Sequence, residues 1–424
     1  MTTETAALSG AGGMISRKKG SERGREARAI VVVCAAHFVQ HFQSLVLPPL
    51  FPFLKAGLGI GFVELGFALT VANIVSVAAQ LPVGFLVDRV GSRRMLVLGL
   101  AVSALAFIGL GLSPSYPHLL LAMALIGLSS SVFHPADYAV LSALIPAARV
   151  GRAFSVHTFA GFLGGAVAPV TLLPIAATFG LSAAFFTVGG VALVAALPLI
   201  LVRGIDNRQP AAHAAQSAAP KLGLTAILTP MMVFLMGFFA LLSLSGSGIS
   251  NFSVVALHGA FDTPLATASL ALTIYLSMQA VGVLVGGFIA DKTRRHAEFA
   301  ALGYGINACI VLAIGTLGLG AAPLVLAMGS AGLLGGMIMP SRDMLVRAAA
   351  PPGAMGRAFG VVTMGLNIGG MVGPLMFGFL MDHGAPRWVF GASVIAMITV
   401  AVVALIGDRR TARLRVAAAV SAAE

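Results

Sequence analysis

The sequence predicts an all-α membrane protein, with twelve transmembrane helices in two pseudo-symmetric six-helix halves. Three observations lead there. Of 424 residues, 58% are apolar and only 9% charged, whereas a soluble domain carries about 25% charged residues. Twelve apolar runs each reach the roughly 20 residues of helix needed to cross a hydrocarbon core about 30 Å thick. The segment beginning at Pro135 realigns without gaps on the segment beginning at Pro340, at an offset of 205. This composition excludes a disordered chain and a soluble α/β enzyme, whose surfaces need far more charge. A membrane β-barrel would show weak alternation over about ten residues instead of continuous apolar runs.

Residues 1–29 are Gly, Ser and Ala around a basic cluster (Arg17, Lys18, Lys19, Arg23, Arg25, Arg28) and lack apolar periodicity, so they read as a flexible cytoplasmic tail. The first half, 30–202, follows with apolar runs at 29–53, 63–87, 95–113, 119–145, 153–177 and 182–202. The first run is too long, and followed by too many others, for a cleaved signal peptide. The longest connection, 203–225, is Ala-, Gln- and Pro-rich and reads as a cytoplasmic linker. The second half, 226–407, has runs at 226–256, 265–290, 299–320, 323–345, 358–381 and 388–407, and a tail over 408–424 ends the chain.

The net charge of +12 is a matter of topology. The two tails and the connections after spans two, four, six, eight and ten hold 23 of the 26 Lys and Arg, while those after spans one and eleven hold Lys55 and Arg387; Arg342 ends the tenth run. By the positive-inside rule both termini are expected in the cytoplasm, in a bacterial inner membrane. Anionic lipid head groups are then the expected partner of the basic residues, and no nucleic acid is called for. The two cysteines, Cys34 and Cys309, lie inside apolar runs and make no disulfide framework.

Within the repeat, Pro135/Pro340, Gly151/Gly356, Arg152/Arg357, Ala153/Ala358, Phe154/Phe359, Gly165/Gly370 and Pro169/Pro374 coincide. GFLVDRVGSRR from Gly84 and GFIADKTRR from Gly287 coincide at an offset of 203, which pairs Asp88 with Asp291. A parallel duplication of six helices is an architecture of transporters that rock about a midplane substrate path. Here the residues resemble the major facilitator superfamily, whose loop signature between spans two and three GFLVDRVGSRR matches and GFIADKTRR repeats between spans eight and nine. Within it, GLSSSVFHPADYAV and HFVQHFQSLVLPPLFPFL look most like the fosmidomycin-resistance group of proton-driven drug exporters. The resemblance implies the facilitator fold, with span one lining a central cavity. The chain departs from that group at Ala136 and at Gln40-His41, so the cargo is not carried over.

His37 and His41 are four apart and share a helical face, with Gln40 between them. At 1.5 Å per residue they sit about 12 and 18 Å into the membrane. Ionisable groups at that depth are costly and usually face an aqueous cavity. They are read here as a proton-binding pair, the plainer reading being neutral imidazoles that tie helices together. His134 is expected on the cavity wall, and Pro135 bends its helix. Asp137, near the cytoplasmic end of span four, is expected in a gate bridged to Arg93. Asp88, Arg89 and Arg93, their counterparts Asp291 and Arg294, the pair Arg342-Asp343, and Arg152 and Arg357 are the further gate candidates, forming contacts in one transport state only. Asn251 and Gln279 are candidate substrate contacts in the second half. Asn73, Gln80, His157, Ser243, Ser245, Ser247, Tyr275 and Asn367 are read as interhelical hydrogen bonds.

No GxxxxGK[ST], HExxH, CxxC or nucleophile-elbow pattern is present, so ATP-driven pumping, catalysis, a metal and a cofactor are not expected. The expected function is secondary transport by a monomer that exports a small organic molecule or drug by proton antiport. Proton-coupled import of a metabolite or vitamin is the alternative, and a non-transporting membrane sensor or scaffold the third reading.

Overall fold

Hydrocarbon offers no partner to a free N–H or C=O, so each apolar run must satisfy its backbone internally, as a helix does. A computed structural model describes residues 4–202, 229–349 and 355–421, and its twelve apolar helices follow the expected runs. The first half comprises span 1 (Arg23–Leu58), span 2 (Phe62–Val90), span 3 (Ser92–Leu112), span 4 (Tyr116–Leu144), span 5 (Arg149–Phe179) and span 6 (Leu181–Leu201). The second comprises span 7 (Pro230–Phe261), span 8 (Leu265–Lys292), span 9 (His296–Thr316), span 10 (Ala321–Arg347), span 11 (Gly360–Asp382) and span 12 (Arg387–Ile406).

Local sequence explains the irregularities. Span 1 breaks after Ser44 and restarts at Leu47, where Pro48 and Pro49 supply no amide hydrogen for a continuous ladder. Span 7 contains a π-helical turn at Gly248–Phe252, a feature frequent at functional sites. Spans 2 and 3 are joined by one residue, Gly91, at φ 96°, a conformation a side chain rarely tolerates. Asp88 and Arg89, expected in a loop, therefore lie in the last helical turn of span 2. The tail expected to be flexible over 1–29 is helical from Glu4, in one helix to Ser44, because Ala, Arg, Glu and Lys are strong helix formers and extend a helix already nucleated. The last helix likewise continues to Ser421. The linker 203–225 lies outside the described residues.

The halves repeat one pattern of contacts. Span 1 packs on 5, 2 on 4 and 3 on 6; span 7 packs on 11, 8 on 10 and 9 on 12. Small residues set the closest crossings, as usual where lipid removes the hydrophobic drive between helices. A methyl group at Gly332 or Gly336 of span 10 would overlap the carbonyl oxygens of Tyr275 or Gln279 in span 8.

The halves meet along two seams, span 2 with span 11 and span 5 with span 8. Thr70 Oγ1 donates to the Met371 carbonyl (2.8 Å) and Asn73 Nδ2 to the Gly370 carbonyl (3.1 Å) across the first seam. Beyond Asn73, toward the face that carries the tails, Leu81 and Phe85 of span 2 and Met364 of span 11 are exposed. The apolar core divides in the same way. One cluster joins Phe51, Leu65 and Phe185 of the first half to Phe238, Phe252 and Phe390 of the second. The other, around Val33, Leu100, Phe133 and Leu141 on the tail side, holds first-half residues alone. The protein is closed at the face opposite the tails and open on the tail side.

Crowding at the crossing of spans 8 and 10 makes Gly336→Ala destabilising by about 1–3 kcal/mol. Gly305→Ala in span 9, where an added methyl meets nothing within 4 Å, leaves thermal melting in detergent unchanged or raises it.

Candidate functional site

Three helices of the first half bring their ionisable residues to one place. His37 comes from span 1, Asp137 from span 4 and His157 from span 5, and all three are almost wholly buried, with Asp137 at 0% exposure. Pro135 lies one turn or less from His134 and Asp137, so the interruption of the ladder falls at the site. Spans 1 and 5 approach so closely there because span 5 is bare at Gly161 and Gly164. A methyl group at Gly161 would lie 2.7 Å from His37 Nε2 and 2.9 Å from His41 Cδ2, and one at Gly164 would overlap the Phe38 carbonyl.

The geometry centres on one oxygen. His157 Nε2 is 2.9 Å from Asp137 Oδ2, a hydrogen bond, and His37 Nδ1 is 3.3 Å from the same oxygen. The His37 and His157 rings stack at 3.7 Å with 22° between their planes. His41 and His134 lie edge-on to His37 at 4.6 and 5.3 Å. His134 and Tyr138, one turn apart on span 4, are exposed and link the buried group to the open side. Asp137 Oδ1, His157 Nδ1 and His37 Nδ1 make no hydrogen bond.

An isolated carboxylate in this surrounding would cost far too much, and the two imidazoles supply the polar partners that offset its burial. The three residues could reach one metal ion, but a ligated ion lies in the plane of each imidazole. Two nearly parallel rings 3.7 Å apart do not share such a point, and 2.9 Å is a hydrogen-bond length. The contacts are those of a hydrogen-bonded carboxylate–imidazole group.

The other expected site residues lie apart from this group. Gln40 is buried and donates to Ser130 Oγ (2.9 Å) and Ser44 Oγ (3.2 Å), bracing span 1 against span 4. Asn251, in the π-helical turn, donates to Ser247 Oγ at 3.1 Å. Gln279 of span 8 and Asn307 of span 9 flank the bare Gly335 of span 10. Arg342 Nε and Nη2 both donate to Asp343 Oδ1 at 2.9 Å, and the guanidinium sits 4.7 Å over the Phe239 ring. Asp88, Arg89, Arg152, Asp291 and Arg294 are exposed at the tail face, and the Arg357 side chain lies outside the described residues.

Two expectations need correction. Asp137 does not bridge to Arg93, because its carboxylate turns inward to the histidines. Arg93 instead donates to the Leu199 carbonyl (2.6 Å) and the Ile200 carbonyl, clipping span 3 to the end of span 6. His157, read as an ordinary interhelical hydrogen bond, is a central member of the group. The repeat held the signal: at the offset of 205 the second half has Met339, Arg342 and Val362 where the first has His134, Asp137 and His157.

The family model of the Major Facilitator Superfamily matches residues 33–255 and 233–422. The chain belongs to this superfamily. Its members of similar sequence include the uncharacterized MFS-type transporter YfnC of Bacillus subtilis, 27% identical over 83% of this chain and 86% of that protein. The fosmidomycin resistance protein of Escherichia coli is 26% identical over 84% and 82%, and the chloramphenicol resistance protein of Streptomyces lividans is 26% identical over 88% and 93%. The superfamily fold is also that of a bacterial homolog of the human lysosomal transporter Spinster in an inward-facing, occupied conformation (TM-score 0.75, 14% identity, covering 90% of this chain and 96% of that one). The nucleoside transporter NupG gives a TM-score of 0.74 at 14% identity, over 89% and 99%. As a member of the superfamily, the chain is an integral membrane transporter of a small molecule.

Removing a partner from a buried ionic group costs about 3–5 kcal/mol, so His157→Ala lowers the melting temperature well below that of the parent. His134→Ala, at an exposed position, changes stability by about 0.5 kcal/mol or less and leaves the melting temperature near that of the parent.

Proposed function

We propose that this transporter exports a small organic molecule by proton antiport, and that His37, Asp137 and His157 are its proton site. The observation that carries the reading is the buried aspartate hydrogen-bonded to His157 with His37 3.3 Å away, with unpartnered polar atoms on all three, next to a cavity open on the tail side. Protonation of such a group changes the net charge buried in the first half, which favours one arrangement of the halves over the other. His41 and His134, beside the group, connect it to cargo in the cavity, and Gln40 holds span 1 in register.

The positive-inside count supports a cytoplasmic position for both termini, which makes the open side the cytoplasmic one. Two similar proteins bear the names of drug resistances, and export from the cell is what such a phenotype requires. The exposed charges Asp88, Arg89, Arg152, Asp291 and Arg294, together with Arg357, are then gate residues that meet when the cytoplasmic side closes. Arg342, held by Asp343 and Phe239, is the fixed cation of the cavity. A single such cation suits neutral, weakly basic or monoanionic cargo better than a sugar phosphate.

Mass spectrometry of cell-associated drugs, vitamins and metabolites tests the direction. Cells overexpressing the intact protein hold less of one compound than cells with Asp137→Asn, and the difference disappears when the pH gradient is collapsed. Higher accumulation with the intact protein would instead establish import.

A further inference from the structure

The first-half group deals with protons, but nothing in it explains what keeps the opposite face shut. We propose that Asp382 is the latch of that face, closing it by capping the N-terminus of span 2 from the other half of the molecule. Asp382 is the last residue of span 11. Its Oδ1 accepts from the Phe62 amide at 2.9 Å and its Oδ2 from the Val63 amide at 2.8 Å, the first two N–H groups of span 2. Lys55, at the end of span 1, reaches Oδ1 at 3.2 Å and lies 4.3 Å over the Phe62 ring. Glu64 takes the neighbouring Gly61 amide at 3.0 Å, so the start of span 2 is capped by one acid of its own half and one of the other.

The physics favours a device that works in one state. The first amides of a helix have no partner within it and carry the positive end of its dipole, so a carboxylate there forms charge-assisted hydrogen bonds. When the halves part at this face, these bonds and the Lys55 contact break together. The backbones are shaped to fit: a methyl at Gly61 would lie 2.6 Å from Asp382 Oδ2, and one at Gly378 would overlap the Phe62 carbonyl. The second seam has no such contact among the described residues. There Leu172 and Ala176 of span 5 and Ala268 and Leu272 of span 8 belong to the shared apolar core. The latch thus sits on one of two symmetry-related seams, and its strength biases the resting population toward the tail-open state.

The inference rests on alternating access and not on proton coupling or on the cargo, so it can fail while the proposed function stands, and the reverse. Thiol labelling of the full chain in nanodiscs tests it, in a background with Cys34→Ala and Cys309→Ala and with a reporter at Thr70→Cys, buried in the seam. Asp382→Asn is expected to raise the maleimide labelling rate about tenfold, in keeping with the loss of charged hydrogen bonds. Gly61→Ala, which pushes the carboxylate away without removing it, gives the same direction and decides the matter if Asp382→Asn fails to fold. A second reporter at Ser103→Cys, fully buried inside the first half, keeps its parent rate. Unchanged or slower labelling at the seam, or an equal rise at Ser103→Cys, would overturn the latch.

Discussion

A carboxylate with no exposed surface in the middle of a membrane protein cannot stand without partners, and Asp137 decides how spans 1, 4 and 5 meet. Its oxygen needs the imidazoles of His37 and His157 within hydrogen-bonding reach. Those imidazoles in turn need a bare stretch of span 5, which Gly161 supplies. Gln40 ties the same span 1 to Ser130 one turn away. The tail-side core of the first half, from Val33 to Leu141, surrounds this group with residues of that half alone. Closure at the opposite face draws on a core that both halves share. A polar requirement within one half and an apolar one between halves therefore act at different levels of the membrane. That separation lets the halves part on one side while each stays intact.

The duplication gives both halves one scaffold and different chemistry. Where the first half has Asp137 amid histidines, the second has Arg342, paired with Asp343 and laid over Phe239. An aspartate between imidazoles is chemically able to change its proton content, whereas a guanidinium keeps its charge at every physiological pH. One half is thus suited to respond and the other to hold a constant charge, though their spans pack in the same pairs. The seams differ too. Asp382 joins spans 11 and 2 by polar contacts, while spans 5 and 8 meet through apolar residues of the shared core.

Legibility in the sequence followed the range of the interaction. Twelve spans and their pairing into halves were readable because each depends on a long apolar run or on a repeat of many residues. His37 and His41 were readable as neighbours because four residues make one helical turn. Their meeting with Asp137 and His157 was not, since it depends on how span 1 packs on spans 4 and 5, 100 residues or more along the chain, which no local pattern records. Arg93 was misassigned for a related reason: depth placed it near Asp137, but the carbonyls that end span 6 without a helical partner were the nearer acceptors. Nothing in the sequence singles out Asp382, because its partners, the amides of Phe62 and Val63, lie about 320 residues away.

The proposed function requires that Asp137 and its two histidines bind and release a proton as one unit. Infrared difference spectra of the purified protein in lipid, taken across pH without cargo and subtracted from those of Asp137→Asn, address it directly. The account predicts a carboxyl band and an imidazole band that change together with pH, both absent from Asp137→Asn and uncoupled in His157→Ala. A carboxyl signal from Asp137 that stays constant across the whole pH range would contradict it.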